Sequence, residues 1–296
     1  MNAASVHPCF NRSLRGTHAR MHLPVAPRCN ISCAYCSREY SCINESRPGV
    51  SAALLSPEQA LHEVRIAVSR LPELSVIGIA GPGDPLANPA ETLETLRLVR
   101  RDFPQLLLCL SCNGLALPAC AEELVRLGVR HVTVTVNAVD PAIGARICHI
   151  VDDREAAGLS SEEGAQLLLE RQEQGVRRLK SLGATVKVNT VVIPQVNEAH
   201  VPEVAERVRA WGADLMNCIP MIPVPGTLFG GLPEPDPERM KRLREAAGRF
   251  LPQMSHCVRC RADAVGLLGA RGTIMDLHGP EHTGGEKLRH CMHRVV

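Results

Sequence analysis

Cys29, Cys33 and Cys36 stand four and three residues apart in Cys29-Asn-Ile-Ser-Cys33-Ala-Tyr-Cys36, a stretch short enough for one loop to present three sulfurs to one inorganic centre. Three thiolates can wrap an iron–sulfur cubane, but a 4Fe–4S cluster ordinarily takes four cysteine ligands, so this spacing leaves one iron open. An open coordination position is what separates a working metal site from a structural one, as at zinc. A zinc loop, or a ferredoxin-like cluster completed by Cys42, are the alternatives. Cys257-Val-Arg-Cys260 has the spacing of a second metal-binding pair, with a disulfide as its plain alternative. Cys9 in His7-Pro8-Cys9, His22, and Cys109 are each, taken singly, more simply a small buried side chain or a satisfied histidine. The chain carries 13 Cys and 12 His beside 1 Trp, 2 Tyr and 4 Phe. An odd count excludes complete internal disulfide pairing, and clustered cysteines in a chain of this type more often bind metal than staple a fold.

These residues must be positioned by something, and the pattern around them is an alternation of strands and helices. Met21 to Ala26 reads as a short apolar strand running into Pro27 and the cysteine loop. Ser56-Pro57-Glu58 opens a helix to Leu71, with Ser56 as N-cap and Pro57 at the first helical position. Strands follow at Ser75–Ala80, Leu106–Leu110, His131–Val136, Ala184–Ile193 and Asp214–Ile219. Helices are expected over Pro89–Phe103, Pro118–Leu127, Ser160–Leu182, Glu198–Trp211 and Pro237–Phe250. Ser160 and Glu163 have the capping-box spacing. Six apolar, β-branched strands alternating with helices imply a parallel sheet covered by helices. The fold class is α/β, a partial (βα)6 TIM-like barrel, whose strand C-termini gather Cys29, Gly83, Asn113, Asn137 and the Ile193-Pro194 turn at one mouth. A doubly wound open sheet is the competing architecture, but no G-x-G-x-x-G follows the first strand.

Composition narrows the function classes. Lys+Arg 33 against Asp+Glu 31 leaves a formal charge of +2, which gives no electrostatic footprint for nucleic acid. The apolar runs fall far short of the ~20 residues that span a bilayer, and no apolar N-terminal stretch reads as a secretory signal. A cytoplasmic protein with neither membrane nor nucleic-acid partners is the expectation.

C-x3-C-x2-C on the loop after the first strand of an αβ barrel resembles the signature of the radical S-adenosylmethionine (SAM) enzymes, and Tyr35 before the third cysteine fits it. The resemblance implies that Cys29, Cys33 and Cys36 hold a 4Fe–4S cluster whose open iron takes the methionine moiety of SAM. Gly81-Pro82-Gly83-Asp84-Pro85 lies where that family sets a glycine-rich segment against the methionine ammonium. It further implies Gly81, Gly83 and Asn113 as cofactor contacts, with Thr135 and Val188, near the ends of the fourth and fifth strands, as candidates for the ribose and adenine. An ordinary core role for Val188 is an equal alternative.

Longer stretches are similar to one subgroup of that family, the enzymes of nitrogenase cofactor biosynthesis. These are His7-Pro8-Cys9, Ala19-Arg20-Met21-His22-Leu23-Pro24-Val25-Ala26-Pro27, Asn44-Glu45-Ser46-Arg47-Pro48-Gly49-Val50, Ile79 to Pro89, and Cys260-Arg261-Ala262-Asp263-Ala264. This resemblance implies fusion of two 4Fe–4S substrate clusters and insertion of a SAM-derived carbide carbon, giving an 8Fe–9S–C precursor. Cys9, His22 and Cys109 would ligate one substrate cluster, and Cys257 with Cys260 the other, with Cys42 as a further candidate. Glu45 and Arg47 would relay protons or hold charge, a loop salt bridge being the alternative. Partners implied are cluster-donor and cofactor-carrier proteins of nitrogenase assembly and an electron donor such as ferredoxin or flavodoxin. Another radical maturase or methylthiotransferase with auxiliary clusters, or a passive iron–sulfur scaffold, are the alternatives. The expected organisation is a cluster-binding extension over 1–20, the barrel over 21–252, a cluster-binding segment over 253–270 and a flexible tail over 271–296, without the carrier domain of longer members. Cys112 departs from the family's usual Thr. Cys120, Cys148, Cys218 and Cys291 match no motif, and His278, His282, His290 and His293 read as a solvated tail.

Overall fold

A computed structural model describes residues 7–37, 54–269 and 272–278. Its main sheet takes β1 (Ala19–His22), β3 (Leu74–Ile79), β4 (Leu107–Cys112), β5 (Val129–Thr135), β7 (Thr185–Val192) and β8 (Leu215–Pro220), paired in parallel in that spatial sequence. β9 (Val265–Gly266) adds antiparallel to the outer edge of β1. A separate hairpin-like pair joins β2 (Ile31–Cys33) to β6 (Cys148–Ile150). The helices are α1 (Pro57–Arg70), α2 (Pro89–Asp102), α3 (Leu117–Arg126), α4 (Pro141–Ile147), α5 (Ser161–Ser181), α6 (Val201–Trp211) and α7 (Pro237–Gly248). This is the partial barrel that the alternation of elements implies.

Local chemistry sets the helix starts. Ser56 and Ser160 accept from the third backbone N–H of α1 and α5, while Gln59 and Glu163 reach back to the capping N–H, so both form capping boxes. Each of α1, α2, α3, α4, α6 and α7 carries proline in its first turn, where the missing N–H costs nothing.

The core lies between sheet and helices. Val64, Leu96, Val99, Leu124, Val176, Leu179, Val204 and Val208 pack on the strand residues Met21, Ile77, Leu108, Leu110, Val132, Val134, Val186 and Val188. Because side chains alternate along a strand, the residues between these point to the barrel interior. There they are mostly polar: Arg20 and His22, Cys109 and Ser111, His131, Thr133 and Thr135, Lys187 and Asn189, and Asn217. A barrel interior is ordinarily filled with branched apolar side chains; this one is built as a chamber.

The stretch after β8 closes the barrel's open seam. Met254 N–H donates to the Met216 carbonyl at 2.7 Å on the β8 side, and His22 N–H donates to the Ala264 carbonyl at 2.9 Å on the β1 side. Two expectations are corrected here. Within the stretch expected as a flexible tail, the described residues 272–278 are ordered: Thr273 bridges to Ala264, Ile274 and Leu277 are buried in the main core, and His278 Nε2 meets the Glu63 carboxylate at 2.9 Å. α4, in a stretch that reads as irregular, forms because Asp140 caps it, accepting from the N–H groups of Ala142 and Ile143.

Candidate functional site

The cysteine loop is held by the segment after β3. Gly83 N–H donates to the Ala26 carbonyl at 2.6 Å and Asp84 N–H to the Arg28 carbonyl at 2.8 Å. Asn88 brackets the same peptide, its Nδ2 donating to the Arg28 carbonyl at 2.9 Å and its Oδ1 accepting from Arg28 N–H at 3.2 Å. A Cβ on Gly83 would sit 2.1 Å from the Arg28 carbonyl oxygen, so only glycine lets the chain entering the loop cross here. Gly83 therefore lies against Pro27 and Arg28, and Gly81 against Ala262; the Gly81 carbonyl accepts from Ala26 N–H at 3.3 Å.

Beyond Cys29 the loop becomes β2, whose Cys33 is registered opposite Cys148 of β6. A hydrogen bond with the Cys148 thiol, then burial, holds the Cys33 thiol well above its ordinary pKa. Tyr35 is buried among Ile147, Val191, Ile193, Met221 and Val224, and its hydroxyl accepts from Asn137 Nδ2 at 2.8 Å. Asn113 Nδ2 donates to Asn30 Oδ1 at 2.6 Å and lies 3.9 Å from Cys29 Sγ. Asp84 is buried with Oδ2 accepting from Asn113 N–H at 2.6 Å and Oδ1 from Leu86 N–H at 2.8 Å. Burial pushes its carboxyl up to about 6 against those bonds. Gln172 of α5 donates to the carbonyls of Asn113 and Thr135 at 2.8 and 2.9 Å, tying together the ends of β4 and β5.

A pocket beside the loop is lined by Asn113, Thr135, Asn137, Ile147, Cys148 and Gln172, among others. Asn113 and Thr135 thus face one space. Val188 does not: it is fully buried in the helix-facing core, with its neighbours Lys187 and Asn189 on the opposite face of β7. The expected adenine contact through its side chain is corrected to a core role. Cys112 faces the same core, away from Asn113's amide.

Beneath the mouth, the barrel interior is a second pocket lined by Cys9, His22, Cys109, Cys257 and Cys260 together with His7, Lys187, Asn189 and Asn217. Residues that sequence could relate to one another only through a family resemblance thus share one wall. His22, Gly78 and Cys109 are registered side by side across β1, β3 and β4. A Cβ on Gly78 would stand 2.8 Å from Cys109 Sγ and 3.2 Å from His22 Cδ2. The glycine makes the cradle in which imidazole and thiol converge. Among the described lining residues there are two cations, Lys187 and Arg259, and no carboxylate.

Protonation fits ligation. His22 Nδ1 lies 3.0 Å from the Arg261 carbonyl, which can only accept, so Nδ1 carries the proton and Nε2 keeps its lone pair. Burial, reinforced by Arg20, lowers the His22 pKa to about 4, keeping the ring neutral. Arg20 Nη2 and Nε donate to Cys260 Sγ at 3.1 and 3.3 Å, which favours a thiolate there, while burial pushes that thiol up. Burial raises Cys9 to about 12, so any metal bound there would have to displace its proton. Cys257 is exposed at the seam.

Among the described residues no three His, Cys, Asp or Glu side chains converge on one ion-sized point. A cubane is instead gripped at separate irons, and three half-buried thiols on one braced loop fit that demand. Cys42, Glu45 and Arg47 lie outside the described residues. So do Cys291, His282, His290 and His293. Among described residues no helix is long and apolar enough to cross a membrane.

The class follows from these features and from similarity. The model of the Radical SAM superfamily matches residues 23–208, and the chain belongs to that superfamily, which implies a 4Fe–4S cluster and SAM. In fold it is similar to Streptococcus suis SuiB (TM-score 0.57, 13% identity, 80% of this chain and 49% of that one) and to methylornithine synthase (PylB; TM-score 0.53, 12% identity, 92% and 79%). More particularly, the sequence is 51% identical over 263 residues to the FeMo cofactor biosynthesis protein NifB of Chlorobaculum tepidum. It is 48% identical over 267 residues to NifB of Azotobacter vinelandii. Each alignment takes in 89% of this chain but 62% and 53% of those proteins, so the chain spans little more than half the length of such relatives.

Proposed function

We propose that this chain carries out the radical SAM step of nitrogenase cofactor biosynthesis, joining two 4Fe–4S substrate clusters around a carbide carbon taken from the methyl group of SAM. The observation that carries this reading is the chamber: Cys9, His22, Cys109, Cys257 and Cys260, drawn from segments far apart in the chain and from two strands, line one cavity in the barrel interior. A passive scaffold would need no such cavity beneath a SAM-type loop.

Cys29, Cys33 and Cys36 would hold the resident cluster, which when bound supplies the electron that cleaves SAM. Asn113 and Thr135 would position SAM in the pocket beside the loop. His22 would ligate one substrate cluster through Nε2 alongside Cys9 and Cys109. A neutral imidazole leaves more readily than a thiolate, which suits a substrate that must be fused and released. Arg20 would hold Cys260 as a ligand to the other substrate cluster. Glu45, Arg47 and Cys42 would complete the loop side as charge-holding groups and a further ligand. Separate cluster donors, a cofactor carrier and a ferredoxin or flavodoxin reductant would serve the reaction.

Anaerobically reconstituted protein with SAM and reductant is expected to hold about twelve irons and to form both 5′-deoxyadenosine and S-adenosylhomocysteine. Absence of both products would overturn the reading. Deoxyadenosine without homocysteine would instead favour another radical maturase.

A further inference from the structure

Two histidines in the chamber are held in opposite tautomers. His22 is protonated at Nδ1 and offers a lone pair at Nε2. His7 is the reverse: its Nδ1 accepts from Cys9 N–H at 3.1 Å, so its proton sits on Nε2. That Nε2 is buried and has no hydrogen-bond partner among the described residues, though His7 is 98% buried and lines the chamber. A buried N–H left without an acceptor is costly, and a ring with this tautomer and this bond cannot ligate metal through either nitrogen. It can donate.

Lys187 stands on the same wall. It occupies the middle of β7, is buried, and points inward in register with Thr133 and beside Asn189. Its Nζ is 5.5 Å from the Phe10 ring centroid, and Phe10 and His7 both pack on His131, with ring centroids 4.9 and 4.7 Å away. Lys187's charge also bears on Cys9, His22 and Cys260, so it sits within electrostatic reach of donors from both proposed ligand sets.

We propose that His7 and Lys187 form a non-ligating half of the substrate site, in which the His7 Nε2–H and the Lys187 ammonium hold the sulfide face of an iron–sulfur substrate by N–H···S hydrogen bonds and charge. The inference rests on the chamber's reading as the site of the substrate clusters. Its chemical logic is that sulfide corners accept hydrogen bonds, and that such bonds and nearby positive charge set a cluster's potential. A donor floor lets few ligands suffice.

The test uses the full chain reconstituted anaerobically with ferrous iron and sulfide. Lys187→Met and His7→Phe remove the donors at similar size; Lys187→Arg and His7→Gln keep a donor. Iron retained against a chelator and the reduction potentials of the clusters are read by electron paramagnetic resonance. Expected are roughly tenfold or greater weakening of chamber-iron retention and a more negative potential for the chamber clusters in Lys187→Met. Recovery in Lys187→Arg is expected, with a smaller loss in His7→Phe that His7→Gln restores. Retention and potentials matching the parent in both Lys187→Met and His7→Phe would overturn the inference and leave the function standing. Parent protein that holds iron for the loop cluster alone would overturn the function itself. Should Lys187→Met fail to fold, His7→Phe, which changes a residue outside the sheet, decides alone.

Discussion

The loop at the mouth and the chamber beneath it both gather sulfur, but they do so in opposite ways. Cys29, Cys33 and Cys36 come from eight consecutive residues, and the chain entering their loop is held by hydrogen bonds from the backbone N–H groups of Gly83 and Asp84 and from the Asn88 side chain. Cys9, His22, Cys109, Cys257 and Cys260 come from the N-terminal extension, two strands and the seam segment; sheet register aligns His22 with Cys109, and the two flanking segments bring the other three to the same cavity. A resident cofactor favours a local, pre-shaped grip. A cargo that must enter, react and leave suits mixed ligands on separate elements that can part.

The comparison breaks most visibly at the ligands. Cys33→Ala is expected to abolish SAM cleavage and remove about four irons, with chamber iron retained. Cys257→Ala should spare cleavage and abolish the fused product. Product analysis with iron counting checks both, and loss of cleavage in Cys257→Ala would mean the two regions are not separate.

The two glycines give a subtler pair. Gly83→Ala drives a methyl into the Arg28 carbonyl and should cost about 1–3 kcal/mol or more with loss of loop-cluster iron. Gly78→Ala crowds Cys109 and His22 and should deplete chamber iron first. Thermal unfolding and iron content distinguish the two.

Asp84 tests the brace of the mouth. Its folded pKa of about 6 lies above the 3.8 of an ordinary aspartate. Folding therefore favours its protonated form, a stabilising contribution complete below about pH 4 and lost as pH rises through 6. Chemical unfolding from pH 4 to 7 should show that decline relative to Asp84→Asn, which has no such titration. At neutral pH Asp84→Asn exchanges relief of the buried charge for an amide N–H facing that of Asn113, a net change of about 1 kcal/mol in either direction. The smallest effect is expected at Cys112, whose replacement by Val in the helix-facing core should cost under about 1.5 kcal/mol and leave both iron populations intact.

Much of this was legible in residue order. Ser56, Ser160 and the prolines after strand ends mark helix starts within a residue or two, and the loop cysteines declare themselves by spacing. The chamber was legible in principle too. Arg20 and His22, Cys109 and Ser111, His131, Thr133 and Thr135, Lys187 and Asn189 alternate with apolar residues inside strands that both-face burial should make uniformly apolar. That alternation separates inward from outward positions, and would have moved Val188 to the core and brought Lys187 forward. β2, β6 and β9 span two or three residues, too few for any period to register. Gly78 gave no local signal at all, since its reason lies on the strands either side.

His256 Nε2 meets the Pro8 carbonyl at 2.8 Å, joining two parts of the chain 248 positions apart. The seam segment and the N-terminal extension are thus latched to each other, and both line the same chamber. Under the proposed function a loaded chamber would act as a clasp for these two segments: binding free energy would become local stability, and discharge would leave them easier to part.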